Sequence, residues 1–168
     1  MSLCACCARI QITCCQFTDV LVTDGDILRI EEFTGSAGFH EYRKPVDPAY
    51  LDQGDDPNWL FYTVLPDGSR RVLKHQENHD CCFLGERGCV LPLEVLPLVC
   101  RLYPVAFTES GLADLAEGCP VHLLKPQESL LEKVGIQHDD AKRWHWQLYQ
   151  ELRDGIIFHE NRNYLRSA

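Results

Sequence analysis

The sequence has no long uninterrupted run of hydrophobic residues. Its most apolar stretch, residues 90–100, is broken by Pro92, Glu94 and Pro97, whereas a membrane-spanning helix needs about 20 consecutive apolar residues. The N-terminus also lacks the basic segment followed by an apolar one that marks a secretory signal. We therefore expect no membrane partner and a cytoplasmic location.

Basic residues are scarce relative to acidic ones. The 168 residues include 16 Lys and Arg against 25 Asp and Glu, which gives a formal net charge of -9. A phosphate backbone would repel such a chain at long range, so we expect no nucleic-acid partner. A glycine-rich phosphate loop, a G-x-S-x-G turn and a paired-carboxylate motif are also absent from the sequence, so no familiar motif identifies a reaction.

The composition is otherwise that of a globular protein. Hydrophobic residues make up 45% of the chain and charged residues 24%, which argues against disorder, collagen and coiled coil. The length suits one small domain. We predict an α+β fold with short helices, one or two β-hairpins and much irregular, metal-organised loop. Residues 1–125 are expected to form a cysteine-cluster module, with residues 126–168 as a helical extension packed on it.

Capping and turn residues predict several elements. A short strand leads to a helix that Thr23 or Asp24 can cap and that ends at Gly35. The turn sequence of residues 66–69 predicts a hairpin between its flanking segments. A second hairpin is predicted around residues 110–111, although its second half is equally compatible with a helical turn.

Two helices are predicted in the C-terminal part of the chain. A short one follows Pro126, and a longer one begins at Asp139 and runs through Arg153, with Gly155 in the position just after its end.

Cysteine is the unusual residue of this sequence and needs a chemical explanation. In a reducing compartment, clustered thiols more often bind metal or perform redox chemistry than form permanent disulfides. A mature secreted chain would have the same composition, so a disulfide or thiol-redox protein stays a third hypothesis, after a metal-binding module and a metal-dependent enzyme. The ten cysteines form two blocks, Cys4, Cys6, Cys7, Cys14 and Cys15, then Cys81, Cys82, Cys89, Cys100 and Cys119.

The spacing of the first block favours metal binding. Cys4 and Cys7 have the spacing of a metal knuckle, in which a tight turn brings two sulfurs onto one ion. Neighbouring side chains of an extended chain point to opposite faces. Cys14 and Cys15 should therefore serve different sites or lie in a sharp turn.

Eight of the thiols would fill two tetrahedral sites of four ligands each. Cys6 and Cys82 are spare members of adjacent pairs, for which burial as small hydrophobic residues is the simpler interpretation. His75, His79 and His122 could supply nitrogen ligands, but each alone is better explained as a surface or capping histidine.

The chain resembles the CxxCxxCC cysteine-cluster family, also called the YkgJ family, which is described as zinc- or iron-chelating and includes flagellin lysine N-methylase. The resemblance covers roughly residues 4–122. It rests on Cys4, Cys7, Cys14-Cys15, Leu21-Val22-Thr23-Asp24-x-Asp26-Ile27-x-Arg29-Ile30, Cys81-x-Phe83-Leu84, Gly88-Cys89, Cys100-Arg101-x-Tyr103-Pro104 and Cys119-Pro120.

The resemblance implies a set of metal ligands and leaves out Cys6 and Cys82. Two departures accompany it: six residues separate Cys7 from Cys14 where the family name implies two, and Leu96 stands where an arginine is usual. The first knuckle is therefore rearranged, or Cys6 replaces Cys7. The implied ligands are Cys4, Cys7, Cys14, Cys15, Cys81, Cys89, Cys100 and Cys119.

Zinc and an iron–sulfur cluster are both compatible with this set. With four thiolates, a zinc ion and a cubane cluster in its +2 state each carry a net charge of about -2. By resemblance, the alternative to a metal-binding module is a metal-dependent enzyme of the methylase type that modifies a protein substrate. In an enzyme, Arg101, Tyr103 and His122 would line a pocket that reaches the metal. In a module, Tyr103 would be buried and hydrogen-bonded, and Arg101 would pair with an acidic residue.

Overall fold

Six α-helices and three two-stranded antiparallel sheets make up the fold in the residues that the computed structural model describes, 3–10 and 13–167. This is the small, single-domain α+β architecture predicted above. The helices are α1 (Leu3–Ile10), α2 (Asp24–Thr34), α3 (Trp59–Thr63), α4 (Leu98–Leu102), α5 (Leu130–Val134) and α6 (His138–Ser167). The strands are β1 (His40–Arg43), β2 (Arg70–Leu73), β3 (Leu84–Gly85), β4 (Gly88–Cys89), β5 (Val105–Thr108) and β6 (Gly111–Leu115).

Helix α2 begins and ends where the sequence predicts. The Asp26 amide donates to the Thr23 hydroxyl at 3.0 Å, and the Thr23 amide donates to the Asp26 carboxylate at 3.0 Å, so the two residues form a capping box. Gly35 ends the helix in a left-handed conformation with φ of 67°. The segment before it runs alongside β2, with Leu21 opposite Val72.

The hairpin predicted around residues 66–69 does not form. The turn itself exists, since the Leu65 amide donates to the Ser69 carbonyl at 2.8 Å. The segment before it is helix α3, however, and the segment after it is β2, which pairs with the distant β1. Helical geometry lets Trp59 and Tyr62 both pack against Tyr149 of α6, which an alternating strand pattern would prevent.

Two other hairpins are present. Strands β5 and β6 form the one predicted around residues 110–111, with Thr108 opposite Gly111. A third pair, β3 and β4, places Leu84 opposite Cys89 and was not predicted. Two-residue strands carry too little alternation to be recognised from a sequence pattern.

Helix α6 begins at His138, one residue before its predicted start, whereas α5 begins only at Leu130 and not directly after Pro126. Helix α5 ends at Gly135, which is left-handed with φ of 79°. Helix α6 does not stop before Gly155 but continues to Ser167, so the predicted end is wrong. A β-carbon at Gly155 would lie 3.2 Å from Asp24 Oδ2. This glycine therefore serves the close approach of α6 to the start of α2 instead of ending the helix.

Two clusters of buried apolar side chains form the core. The first, the α6 core, packs α4 and the start of β5 against the C-terminal helices and consists of Leu21, Leu98, Leu102, Val105, Ile136, Ala141, Trp144, Leu148, Tyr149 and Leu152. The second, the cysteine core, underlies the cysteine-bearing loops and consists of Val20, Val22, Ile30, Phe39, Leu73, Cys81, Leu91 and Val95, with Cys15, Cys82 and Cys100 packed against it.

Within the residues described, no helix combines the length and the apolar character that crossing a bilayer requires.

A buried carboxylate connects three helices. The Asp26 side chain, with 0% exposure, accepts from the Leu98 amide of α4 at 3.0 Å and from the Arg29 guanidinium at 2.6 Å. Arg29 also donates to Glu151 of α6 at 2.7 Å. Burial outweighs the attraction of Arg29 and raises the pKa of Asp26, so the charged form depends on these bonds.

We predict that Asp26→Ala lowers the free energy of unfolding by about 3–5 kcal/mol, because Arg29 is left without its buried partner and α4 loses its N-terminal acceptor. The matched control is Asp140→Ala, which removes an exposed pair with Arg143 and should cost less than about 0.5 kcal/mol. Urea denaturation of both variants in the same metal state tests this. Equal losses would mean that Asp26 does not hold the fold together.

Candidate metal centre

The eight predicted ligands come from six separate parts of the chain. Two are on α1, two lie in the turn formed by residues 13–16, and one each is on β4 and α4. The remaining two are in the loops that precede β3 and follow β6. The ten cysteines are not joined in disulfides in this structure.

Cys4 and Cys7 are not in the tight turn that their spacing predicted. They lie on helix α1, where residues three apart share a face, so their thiols are still neighbours. Cys7 is buried and Cys4 is exposed. Cys6 is about 100° further round the helix from Cys7. Helix α1 contacts β4, which carries Cys89.

Cys14 and Cys15 form the centre of a sharp turn. This is one of the two arrangements expected from the sequence, the other being that the two cysteines serve different sites. The Gln16 amide donates to the Thr13 carbonyl at 3.1 Å, and the Cys15 amide donates to the Thr13 hydroxyl at 3.2 Å. The turn allows the two adjacent thiols to form a hydrogen bond with each other.

This turn is fixed to the second block of cysteines. The Cys81 backbone amide donates to the Cys15 carbonyl at 2.7 Å, and the side-chain amide of Gln16 donates to the Asp80 carboxylate at 2.8 Å. Beside these bonds, Phe17 and His79 both have positive φ, 59° and 68°, and their rings stack at 5.5 Å. Positive φ is unfavourable for residues of this size. The two loops that contain Phe17 and His79 therefore have a strained backbone next to the thiols.

Cys89 and Cys100 approach the cluster from two further elements. The Leu91 amide donates to the Cys89 thiol, while burial raises the pKa of Cys89 to about 11. Cys100 is on α4, whose first amide, that of Leu98, is held by Asp26. Asp26 was not predicted as a residue of the site, although the T-x-x-D pattern of a capping box in the sequence could have identified it.

Charge repulsion between thiolates shows which cysteines are neighbours. Although the residue as a whole is exposed, the surrounding protein partly desolvates the Cys4 thiol and raises its pKa, and the nearby thiolates of Cys119, Cys15 and Cys7 raise it further. Burial likewise raises the pKa of Cys119, with Cys7 as its charged neighbour. The two ends of the cysteine sequence therefore meet in space.

Burial and neighbouring thiolates also raise the pKa values of the cysteines on the other side of the cluster. Burial raises the pKa of Cys100 strongly, and the thiolates of Cys15, Cys89 and Cys4 add to the effect. Cys89 in turn is close to Cys15 and Cys4. Cys81 joins the group through Cys100. All eight predicted ligands are thus linked by electrostatic contact.

In two of the three adjacent pairs, Cys14-Cys15 and Cys81-Cys82, the two thiols share a proton unequally. The hydrogen bond from the Cys14 thiol lowers the pKa of Cys15 to about 7 and raises that of Cys14. In the same way the Cys81 thiol lowers the pKa of Cys82, whose own thiol also lies 3.6 Å from the Phe39 carbonyl. Cys82 is therefore half-buried beside the cluster, in contact with Cys81.

Arg101 matches neither expectation. It is buried and donates to the backbone carbonyls of Leu96 at 2.8 Å and Glu94 at 2.5 Å. Within the described residues its guanidinium is thus held by backbone carbonyls and in no ion pair with an acidic side chain, and it does not line either of the two grooves described below. The loop before α4 contains two prolines, which leaves carbonyls without helix partners, and the guanidinium satisfies them.

Tyr103 and the histidines complete the surroundings. The Tyr103 hydroxyl is hydrogen-bonded to the Glu117 carbonyl at 3.3 Å, as the module hypothesis predicted, but the residue is only half-buried where that hypothesis predicted it buried. His122 is exposed on the short 3-10 helix Val121–Leu123. His75 bonds to the Thr18 carbonyl at 3.0 Å, and His79 stacks on a phenylalanine.

Two surface grooves are lined by residues other than cysteine. A groove of about 560 Å³ lies between the start of α2 and α6, with Asp24, Leu28 and Asp154 among its lining residues. A second, of about 380 Å³, continues from it towards Phe61 and Tyr42. Neither of these grooves gives access to the thiol cluster.

The chemistry of the donors suits a thiolate-binding metal. Soft sulfur ligands select zinc or iron–sulfur clusters over hard cations. In the described part of the chain, however, no three Cys, His, Asp or Glu side chains stand in a geometry that could hold an ion. The thiols are gathered into one cluster but are not positioned as a coordination shell.

No family model, curated protein or solved structure matches this chain. The resemblance to the cysteine-cluster family therefore stays a prediction that rests on the motifs of the sequence.

Proposed function

We propose that this protein is a metal-binding module whose cysteine cluster holds zinc or an iron–sulfur cluster. The observation that carries the proposal is the convergence of eight cysteines, from six parts of the chain, into one electrostatically linked group. The ligands are Cys4, Cys7, Cys14, Cys15, Cys81, Cys89, Cys100 and Cys119.

Electrostatics explain why a cation belongs there. Burial raises the pKa values of Cys4, Cys89 and Cys100, and repulsion from neighbouring thiolates adds to the effect, so the charged thiolates are unfavourable in this site without a cation. A divalent cation or a cationic cluster offsets this repulsion and displaces the thiol protons when it binds. Packing of the core alone would need no such gathering of thiols.

Bound zinc would act as a structural crosslink, and a bound iron–sulfur cluster would add electron transfer. Because the cysteines are not joined in disulfides, a reducing compartment such as the cytoplasm suits the protein. The enzymatic alternative receives less support, because Arg101 is engaged by backbone carbonyls and the two grooves are lined by residues away from the thiols.

We predict that the protein isolated without oxygen contains either zinc or iron with acid-labile sulfide, and that removing the metal under reducing conditions lowers its melting temperature. The reason is that the metal closes loops between residues as distant as Cys4 and Cys119, so binding energy contributes to folding. Elemental analysis and thermal unfolding with and without chelator test this. An unchanged transition in the stripped chain would show that metal has no structural role.

We also predict that the ten cysteines divide into two groups under substitution. Cys100→Ala and Cys14→Ala should reduce the metal content or the soluble yield, whereas Cys6→Ala and Cys82→Ala should have little effect. Metal per chain, measured after anaerobic purification, is the test. Equal losses in both groups would contradict the proposed ligand set, and a severe effect of Cys6→Ala with a mild effect of Cys7→Ala would place Cys6 in the site.

A further inference from the structure

We propose that the surface groove between α2 and α6 is a docking site for an extended segment of a partner protein, one that carries a basic side chain close to an aromatic or aliphatic side chain. The site is separate from the cysteine cluster, because no cysteine is among the described residues that line it. The proposal therefore does not depend on metal binding.

The groove has two parts that join. The first, of about 560 Å³, lies between the start of α2 and α6, and the second, of about 380 Å³, extends from it towards α3 and β1. Asp24, Glu151 and Gly155 line both parts, so one ligand can occupy the two together. Both volumes lie in the range of about 300–1,000 Å³ that is usual for ligand sites.

Two glycines keep the walls of the first part close together. A β-carbon at Gly155 would lie 3.2 Å from Asp24 Oδ2, and one at Gly25 would collide with the Glu151 carboxylate. The missing side chains let α6 approach the start of α2. Carboxylates from both helices therefore line the same groove.

The first part of the groove offers carboxylate oxygens to a cation. Glu151 is engaged by Arg29. Asp24 uses Oδ1 to bind Arg71 at 2.6 Å, and its Oδ2 has no hydrogen-bond partner among the described residues. Asp154 is exposed and forms no ion pair in that same part of the chain. A basic side chain thus finds two available carboxylates on a protein of net charge -9, whereas an acidic segment would be repelled.

The second part of the groove leaves apolar surface uncovered. Phe61 is 65% exposed and Tyr42 is 48% exposed, and both line it together with Leu65 and Pro66. Leu28, which is 67% exposed, lines the first part. Single exposed apolar residues are ordinary on a protein surface, but several that share a groove with a polar rim mark a contact surface for a partner.

An extended ligand suits the groove better than a helical one, because Tyr42 is on the outer strand of its sheet. The Lys74 amide donates to the Phe39 carbonyl at 2.8 Å, and Tyr42 lies opposite Arg71. Since hydrogen-bonded and non-hydrogen-bonded pairs alternate along antiparallel strands, the Tyr42 N–H and C=O point away from β2. They have no partner within the residues described, so an added strand can bond to them.

Fluorescence polarisation with labelled octapeptides tests the proposal on the full chain as isolated. The probes carry Arg and Phe, separated by one Ser, in either order within a Gly-Ser sequence. Matched peptides replace Arg by Glu or Phe by Ser. We expect one Arg and Phe peptide to bind, the Glu peptide to bind about 5-fold more weakly because an ion pair is lost, and the peptide without Phe to bind about 10-fold more weakly.

Two pairs of variants locate the binding site. Asp154→Lys should reverse the preference, so that the Glu peptide binds more tightly than the Arg peptide. Asp139→Lys is its control, because Asp139 is an exposed residue of the same helix about 22 Å away along the axis. Phe61→Ala should weaken binding about 10-fold. Trp146→Ala removes a side chain of the same 65% exposure outside the groove, and should leave binding unchanged.

The outcomes either support the docking site or overturn it. No binding of either Arg and Phe peptide at millimolar concentration, or equal binding of all the peptides, would reject it. An unchanged preference in Asp154→Lys, with the melting temperature of the unmodified protein, would place the binding elsewhere. A dimer in sedimentation that Phe61→Ala dissociates would make the groove an interface between copies of this chain. Metal content is measured separately, so the proposed function stands or falls independently of these results.

Discussion

The buried carboxylate of Asp26 is the interaction on which the arrangement depends. It completes the cap of α2 through Thr23, accepts the first amide of α4 and holds the Arg29 guanidinium that reaches α6. Each of the three small sheets has only two strands, so no large sheet organises the molecule. The position of Cys100, two residues into α4, follows from where this carboxylate fixes the start of the helix.

The sequence was informative where one residue determines a local conformation. Thr23 and Gly35 marked the ends of α2, and the pair Cys14 and Cys15 required a turn if both were to face one site. The sequence was misleading where tertiary contacts determine the secondary structure. Helix α3 forms because its aromatic residues pack against Tyr149. Helix α6 continues beyond Gly155, where the absence of a side chain leaves room for the start of α2.

The candidate site was predictable as a list of residues but not as a geometry. Spacing indicated that Cys4 and Cys7 act together, yet a helix and a knuckle both satisfy that spacing. No sequence pattern predicted that Arg101 donates to backbone carbonyls, because this contact depends on carbonyls that the neighbouring prolines leave without hydrogen-bond partners. Long-range proximity, such as that of Cys4 to Cys119, lies beyond periodicity and motif spacing.

The division of the interior into two apolar clusters has a consequence for protein turnover. The α6 core is lined by aliphatic and aromatic side chains without cysteine, whereas the cysteine core packs directly beneath the thiols. If the cysteine cluster holds a metal ion as proposed, loss of that ion would loosen one half of the interior while the other half stays assembled. Partly opened chains of this kind are the forms that cellular proteases recognise. The abundance of the protein would then follow the supply of metal, without any dedicated sensor.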